Sequence, residues 1–269
     1  PIPRTLALTV FGDLDVSTIR GLPPGRTPVA TRVKPRSRSG EVWAHLADRV
    51  RRGEQGFVVV PAIDPSPDLP DVAGCRDALA AGPLTGARID IVHGRMSAAE
   101  RDDVMQRFRR GEIDVLVATT VIEVGVDVPN ATMIVIEHAD RYGLAQLHQL
   151  RGRVGRGAKP GLCVLLGDPA TDDGIRRLEA IRGTTDGFEV AEADLAIRGP
   201  GEVFGTRQSG IAPFRVADLA RDAALLRTAR RDAFAWIERS PELRGAEETL
   251  LRRRVLKRHG TAFGLGDVG

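Results

Sequence analysis

Lysine is almost missing from this 269-residue sequence. Only Lys34, Lys159 and Lys257 occur, so nearly all of the 39 basic side chains are arginines. None of the three sits in a Gly-Lys-Ser or Gly-Lys-Thr triplet, which excludes a phosphate loop whose lysine reaches a nucleotide's terminal phosphates. An adjacent Asp-Glu pair of the kind that holds magnesium beside a nucleotide is absent as well. Cysteine is just as scarce. Cys75 and Cys163 lie far apart and outside any Cys-x-x-Cys, which argues against a metal knuckle or disulfide scaffold and for a reducing compartment. His45, His138, His148 and His259 share no ligand spacing, so no metal site is expected. Aromatics make up 4%, which points to an aliphatic core. No apolar run approaches the roughly 20 residues that span a bilayer, so no membrane partner is expected. The opening Pro1-Ile2-Pro3-Arg4 has neither methionine nor a signal-peptide pattern and reads as a cut inside a longer chain. A net charge of +3 excludes a polybasic tail and by itself says nothing about nucleic acid.

What is present is an alternation of strand and helix signals. Strand signals stand at Val29–Val33, Phe57–Pro61, Arg88–Val92, Val115–Ala118, Thr132–Ile136 and Leu162–Leu166, and Phe57–Pro61 is a continuous apolar run, the mark of a strand buried on both faces. Between them, helical spacing covers Glu41–Arg52, Val72–Ala81 and Leu144–Arg151, and Ser97-Ala98-Ala99-Glu100 is a capping box opening a helix that stops at Gly111. This order predicts an α/β fold, a parallel sheet with helices on both faces. After Leu166 the strand signal fades. Thr171–Arg182, Asp186–Ala193, Asp218–Glu238 and Ala246–Arg258 read as helices of a mostly helical extension. Three segments are expected: 1–28, with a strand at Leu6–Phe11 and a Pro/Gly-rich linker; 29–168, the sheet domain; and 169–269, the helical extension.

Two constellations carry chemistry. In Gln149-Leu150-Arg151-Gly152-Arg153-Val154-Gly155-Arg156-Gly157, arginines three apart follow a helix and are punctuated by glycine. Paired guanidinium forks match phosphate oxygens and stabilise charge developing on a transferred phosphoryl group. The plain alternative is a solvated basic turn. Upstream, the strand Val115–Ala118 ends in Thr119-Thr120 and leads to Gly125-Val126-Asp127. At the carboxyl end of a parallel strand, hydroxyls and amides can hold a nucleic-acid phosphate, and Asp127 can accept from a ribose hydroxyl. The alternative makes the threonines strand-end caps and Asp127 a turn residue.

Together these two stretches resemble motifs V and VI in the second lobe of superfamily 2 helicases. Gly143–Gly157 with Ile122–Ala131 is similar to the RecG family of branch-migrating helicases, as are Val92-His93-Gly94-Arg95-Met96 and the motif III-like Pro1–Thr5. Arg198-Gly199-Pro200-Gly201-Glu202-Val203-Phe204-Gly205-Thr206-Arg207-Gln208 resembles the translocation element that this family shares with transcription-repair coupling factors. The resemblance implies a RecA-like lobe in 29–168 after the residual end of lobe one in 1–28, and a translocation hairpin in 169–269. Its implied function is ATP-dependent remodelling of branched or duplex DNA, in the cytoplasm of a bacterium and associated with the nucleoid. Arg153 and Arg156 become arginine fingers, with Gly125, Asp127 and Gln149 at the nucleotide. His93, Arg95, Thr119, Thr120, Arg198, Arg207 and Gln208 become DNA contacts or translocation residues. ATP and Mg2+ are the implied cofactors of the complete enzyme. Its lobe one and wedge domain are the implied partners in the same longer chain. This chain alone is expected to be catalytically silent. The competing readings are a lobe of a transcription-repair coupling translocase, or a non-catalytic module that binds DNA or docks. The arginine pair is expected at an open crevice of the sheet.

Overall fold

A computed structural model of the protein describes residues 29–61, 71–120, 128–198 and 222–259. The expected strand at 6–11, Gly125, Asp127, Arg207 and Gln208 lie outside these residues, as does the side chain of Arg198. The described residues form two compact units, 29–198 and 222–259.

The first unit is a six-stranded sheet. Strands β1 (Ala30–Lys34), β2 (Gln55–Val59), β3 (Ile89–Val92), β4 (Val115–Ala118), β5 (Ala131–Ile136) and β6 (Leu162–Leu166) stand in the order β1-β6-β5-β2-β4-β3. Every neighbouring pair is parallel, so each connection must cross back over the sheet. The returns are made by α1 (Ser39–Arg51), α2 (Val72–Ala81), α3 (Ala98–Arg109) and α4 (Leu144–Arg151), and α5 (Asp172–Gly183) and α6 (Gly187–Arg198) follow β6.

Because successive side chains of a strand point to opposite faces, each strand feeds two cores. Phe57, Val59, Leu116, Ala118, Ile134, Ile136 and Leu165 pack on one face with Phe108 of α3, Leu147 of α4, Ile181 of α5 and Val190 of α6. Val58, Val60, Val115, Val117, Val135 and Leu166 pack on the other with Leu46 of α1 and Leu79 of α2. Helices therefore cover both faces, as the continuous apolar run at Phe57–Pro61 requires.

Local signals explain the helix starts. The Ser97 hydroxyl accepts from the Glu100 amide at 3.3 Å while the Glu100 carboxylate accepts from the Ser97 amide at 2.8 Å, which completes the expected capping box. Asp71 and Thr171 cap α2 and α5 by accepting from Gly74 N and Gly174 N. Helix α6 runs on to Arg198, five residues beyond the end expected from the sequence, and Ile197 in the added stretch packs against the core on that face of the sheet.

In the second unit, α7 (Ala223–Arg239) and α8 (Thr249–His259) are joined by a turn closed on one carboxylate. Glu248 accepts from the Trp236 indole at 2.6 Å, the Ser240 hydroxyl at 2.6 Å and the Gly245 amide at 2.7 Å. These hydrogen bonds, led by that from Ser240, hold its carboxyl below the usual carboxylate range. Among the described residues no helix is long and apolar enough to cross a membrane.

Candidate nucleotide and nucleic-acid interface

Helix α4 begins just after β5 has left the carboxyl edge of the sheet and carries the chain back to the amino edge. The arginine turn that follows is therefore seated at the amino ends of three strands. A Cβ placed on Gly155, whose φ is +70°, would lie 2.8 Å from Val29 Cγ2, just before β1, and 3.4 Å from Gly161 Cα, just before β6. A Cβ on Gly157 would overlap the carbonyl oxygen of Pro129, just before β5. Both glycines are thus needed by contact, and the first by its left-handed backbone too. The crevice that holds the arginine pair is consequently not the one outside the carboxyl ends of the strands.

In this turn Arg153 and Arg156 are both half-buried. The Arg153 amide donates to Leu150 O at 3.0 Å, and Arg156 Nε donates to Gly152 O at 2.9 Å, which folds the second side chain back along the turn. Gln149 is half-buried on the last turn of α4. The structure thus places Gln149 on the last turn of α4, Arg153 and Arg156 in the turn that follows it, and Gly157 at the end of that turn against Pro129.

The first arginine of the run behaves differently. Arg151 is only 4% exposed. Its Nη1 donates to Ile181 O at 2.6 Å and Thr184 O at 2.7 Å, and Nη2 lies 3.0 Å from His148 Nδ1. It ties the end of α4 to the end of α5 and has no face left for a ligand. Burial, with the Arg151 charge as a second cause, pushes the His148 imidazole down to about 4. Leu144, Leu147 and Arg151 share the buried face of α4 by their spacing of three and four, a signal from which the role of Arg151 could have been read.

A second group at the amino edge had no sequence signal. Glu54 accepts from Arg49 Nη1 at 3.3 Å and from the Thr132 hydroxyl, and its other oxygen lies 3.6 Å from Lys159 Nζ. Asn130 Nδ2 donates to Gly53 O at 2.9 Å. These contacts pin the segment after the arginine turn, and the start of β5, to the start of β2. Their partners are 75 to 83 residues apart in sequence where the bonds join β2 and α1 to β5, so no local pattern announces them.

The remaining expected contacts collect at the opposite, carboxyl edge. His93 and Arg95 follow β3, and Thr119 and Thr120 follow β4. Thr119 is only 7% exposed, with its amide donating to Val92 O at 3.3 Å, whereas Thr120 is half-buried and Arg95 is exposed. His93 Nδ1 is buried without a hydrogen-bond partner among the described residues. Farther along the same edge, Glu137 follows β5 and burial raises its carboxyl above the usual range, against the pull of the Arg36 charge.

Among the described residues no three His, Cys, Asp or Glu side chains converge on a metal position. The arginine turn is cationic. Among the described residues, the arginine turn therefore fits a phosphate, and no carboxylate cluster fits a magnesium ion.

A parallel sheet with an arginine turn at one edge and strand-end hydroxyl, imidazole and guanidinium groups at the other is matched by a helicase lobe. The model of the helicase conserved C-terminal domain matches residues 41–158. That of the ATP-dependent DNA helicase RecG, domain 3, C-terminal, matches residues 184–262. The chain is 50% identical over 273 residues to the ATP-dependent DNA helicase RecG of Acidithiobacillus ferridurans, covering 100% of this chain and 39% of that protein. It is 46% identical over 241 residues to the RecG of Staphylococcus epidermidis, covering 88% of this chain and 35% of the relative. A solved structure of RecG bound to a three-way DNA junction superposes with a TM-score of 0.66 at 45% identity, over 84% of this chain and 29% of that one. The chain belongs to the RecG family of helicases. It spans a little over a third of the length of the relatives it matches.

Proposed function

We propose that this chain is the second motor lobe, with its translocation element, of an ATP-dependent double-stranded-DNA translocase. The complete enzyme would branch-migrate Holliday junctions and remodel stalled replication forks in recombination and repair, in the bacterial cytoplasm. The observation that carries this reading is the arginine turn, locked by Gly155 and Gly157 against the amino ends of β1, β5 and β6. A turn held this way presents Arg153 and Arg156 with little rearrangement when a nucleotide's terminal phosphate is apposed to it. Their guanidinium groups would then neutralise charge spreading over the phosphoryl oxygens. Asp127 and Gly125 would approach the ribose from the neighbouring loop, with Gln149 beside them.

On this reading His93, Arg95 and Thr120 meet the DNA backbone at the carboxyl edge, with Thr119 acting beneath them from its buried position. Nucleotide and nucleic acid would then occupy opposite edges of one rigid sheet. A rotation of the lobe driven by the phosphate at the amino edge would be delivered to the DNA at the other. Arg198, Arg207 and Gln208 would turn that rotation into a step along the duplex. Lobe one and the wedge domain of the complete enzyme would supply the phosphate loop and the surface that splits the fork.

The test is Arg153→Ala in the complete enzyme. Duplex-stimulated ATP hydrolysis, followed by phosphate release, should fall by about 10³-fold or more, the usual value of an arginine finger. Affinity for a three-way junction should stay within about a factor of two. Equal loss of both would make Arg153 a DNA ligand or a folding residue and would overturn the assignment.

A further inference from the structure

Exposed arginines of the first unit commonly stand beside a carboxylate. Arg38 meets Glu41 at 2.6 Å, Arg88 meets Asp114 at 2.5 Å, Arg107 meets Asp90 at 2.9 Å and Arg110 meets Glu112 at 2.6 Å. Helix α8 in the second unit breaks this habit. Arg252, Arg253, Arg254 and Lys257 are all exposed, and none has a hydrogen bond or ion pair among the described residues. Thr249–His259 contains no acidic residue at all.

The positions of these charges matter as much as their number. At about 100° per residue, Arg253, Lys257 and Arg254 fall within one arc of about 100°. Arg253 and Lys257 are one turn apart along the axis, a rise of about 6 Å. Exposed Leu250 falls inside the same arc, between Lys257 and Arg254, and Leu256 falls between Arg252 and Arg253. A helix that lies in a lipid surface gathers its apolar residues on one face, and this one interleaves them with the charges. The pattern suits a ridge of closely spaced anions against which guanidinium forks and an ammonium group make sequence-independent contacts.

We infer that α8 is a second DNA contact, in which Arg253, Arg254 and Lys257 grip the phosphodiester backbone of duplex DNA. This goes beyond the proposed function, which puts DNA only on the carboxyl edge of the sheet and on the translocation element. It rests on that reading for the identity of the polyanion, while the unpaired charge pattern stands independently. A handle on the second unit would keep the motor on its track while the sheet's contacts are released between steps. Each phosphate neutralised releases condensed counterions, so the contact has a measurable salt signature.

The experiment uses the 269-residue chain and a fluorescein-labelled duplex, with binding read by anisotropy between about 50 and 200 mM salt. In the Arg253→Gln/Arg254→Gln/Lys257→Gln variant, the slope of log affinity against log salt should flatten by about 2–3. Affinity at the low-salt end should fall at least tenfold. Glutamine keeps helix propensity, and Arg253→Lys/Arg254→Lys, which keeps the charge, should bind like the parent chain. An unchanged slope in the glutamine variant overturns the inference. So does preferential binding of the parent chain to phosphatidylserine vesicles over duplex. An Arg95→Ala chain separates the two readings. If it loses affinity while the α8 variant does not, DNA lies on the sheet edge alone, so this inference fails and the proposed function stands. If the parent chain binds no duplex at all, the inference fails, and the Arg153→Ala assay still judges the motor reading on its own.

Discussion

Arginine does two different jobs in the nine residues from Gln149 to Gly157. Arg151 is sunk among backbone carbonyls as a tie between helices, and Arg153 and Arg156 occupy a turn that glycine contacts hold in place. The glycines make this division possible. Gly157→Ala would drive a methyl group into the Pro129 carbonyl, a backbone atom that cannot swing aside. The expected cost is about 1–3 kcal/mol, as for other overpacked sites, and it should appear as a lowered thermal midpoint by circular dichroism. Gly40→Ala is the matching control. It sits in α1 with nothing within 4 Å of its would-be Cβ, so the substitution should leave stability unchanged or raise it by about 0.5–1 kcal/mol. A Gly157→Ala chain as stable as its parent would mean that the turn is not wedged against β5. At this scale the sequence marked out an arginine run, but not which arginine was structural. That distinction depends on Ile181 and Thr184, about 30 residues away, whose carbonyls receive Arg151.

Arg151, which ties α4 to the end of α5, also lies against His148, and that pairing carries a pH dependence. The imidazole lies at about 4 in the folded chain against an ordinary value near 6.5. Between those values the unfolded chain takes up a proton that the folded chain refuses, so stability is full above about pH 6.5 and is lost progressively as the pH falls toward 4. His138, also depressed chiefly by burial, acts in the same direction. The urea midpoint should therefore decline from pH 7 to pH 5, above the range where most carboxylates titrate. His148→Gln should shallow that decline and leave the share of His138. A decline of the same slope in the variant would show that His148 is already protonated or solvated when folded. The elements themselves were legible from sequence. Six strand signals became six parallel strands, and the Ser97–Glu100 box opened its helix as written, because caps and strand patterns are local. The end of α6 was not legible, because the packing of Ile197 against the sheet's core is a tertiary contact.

On the scale of the whole molecule, the first unit divides its chemistry between two edges. The amino edge collects Gln149, Arg153, Arg156 and the Glu54–Lys159 contact; the carboxyl edge collects His93, Arg95 and Thr120. None of the three lysines sits in a phosphate loop: Lys34 pairs with Glu41, Lys159 with Glu54, and Lys257 lies on α8. Arginine fingers stabilise charge on a phosphate that other groups must cradle, so the 269-residue chain alone should hydrolyse ATP no faster than a buffer blank, with or without duplex. Duplex-stimulated phosphate release from the isolated chain, abolished by Arg153→Ala, would overturn this. By itself the sequence determined the order of strands and helices, the shortage of lysine that excludes a phosphate loop, and the spacing of the arginine run, since all of these are written in local spacing and composition. Tertiary structure alone decided which edge each motif occupies. In a parallel sheet every connection must carry the chain back across a face, so a motif after a strand and a motif after the next helix end at opposite edges, however close they lie in sequence.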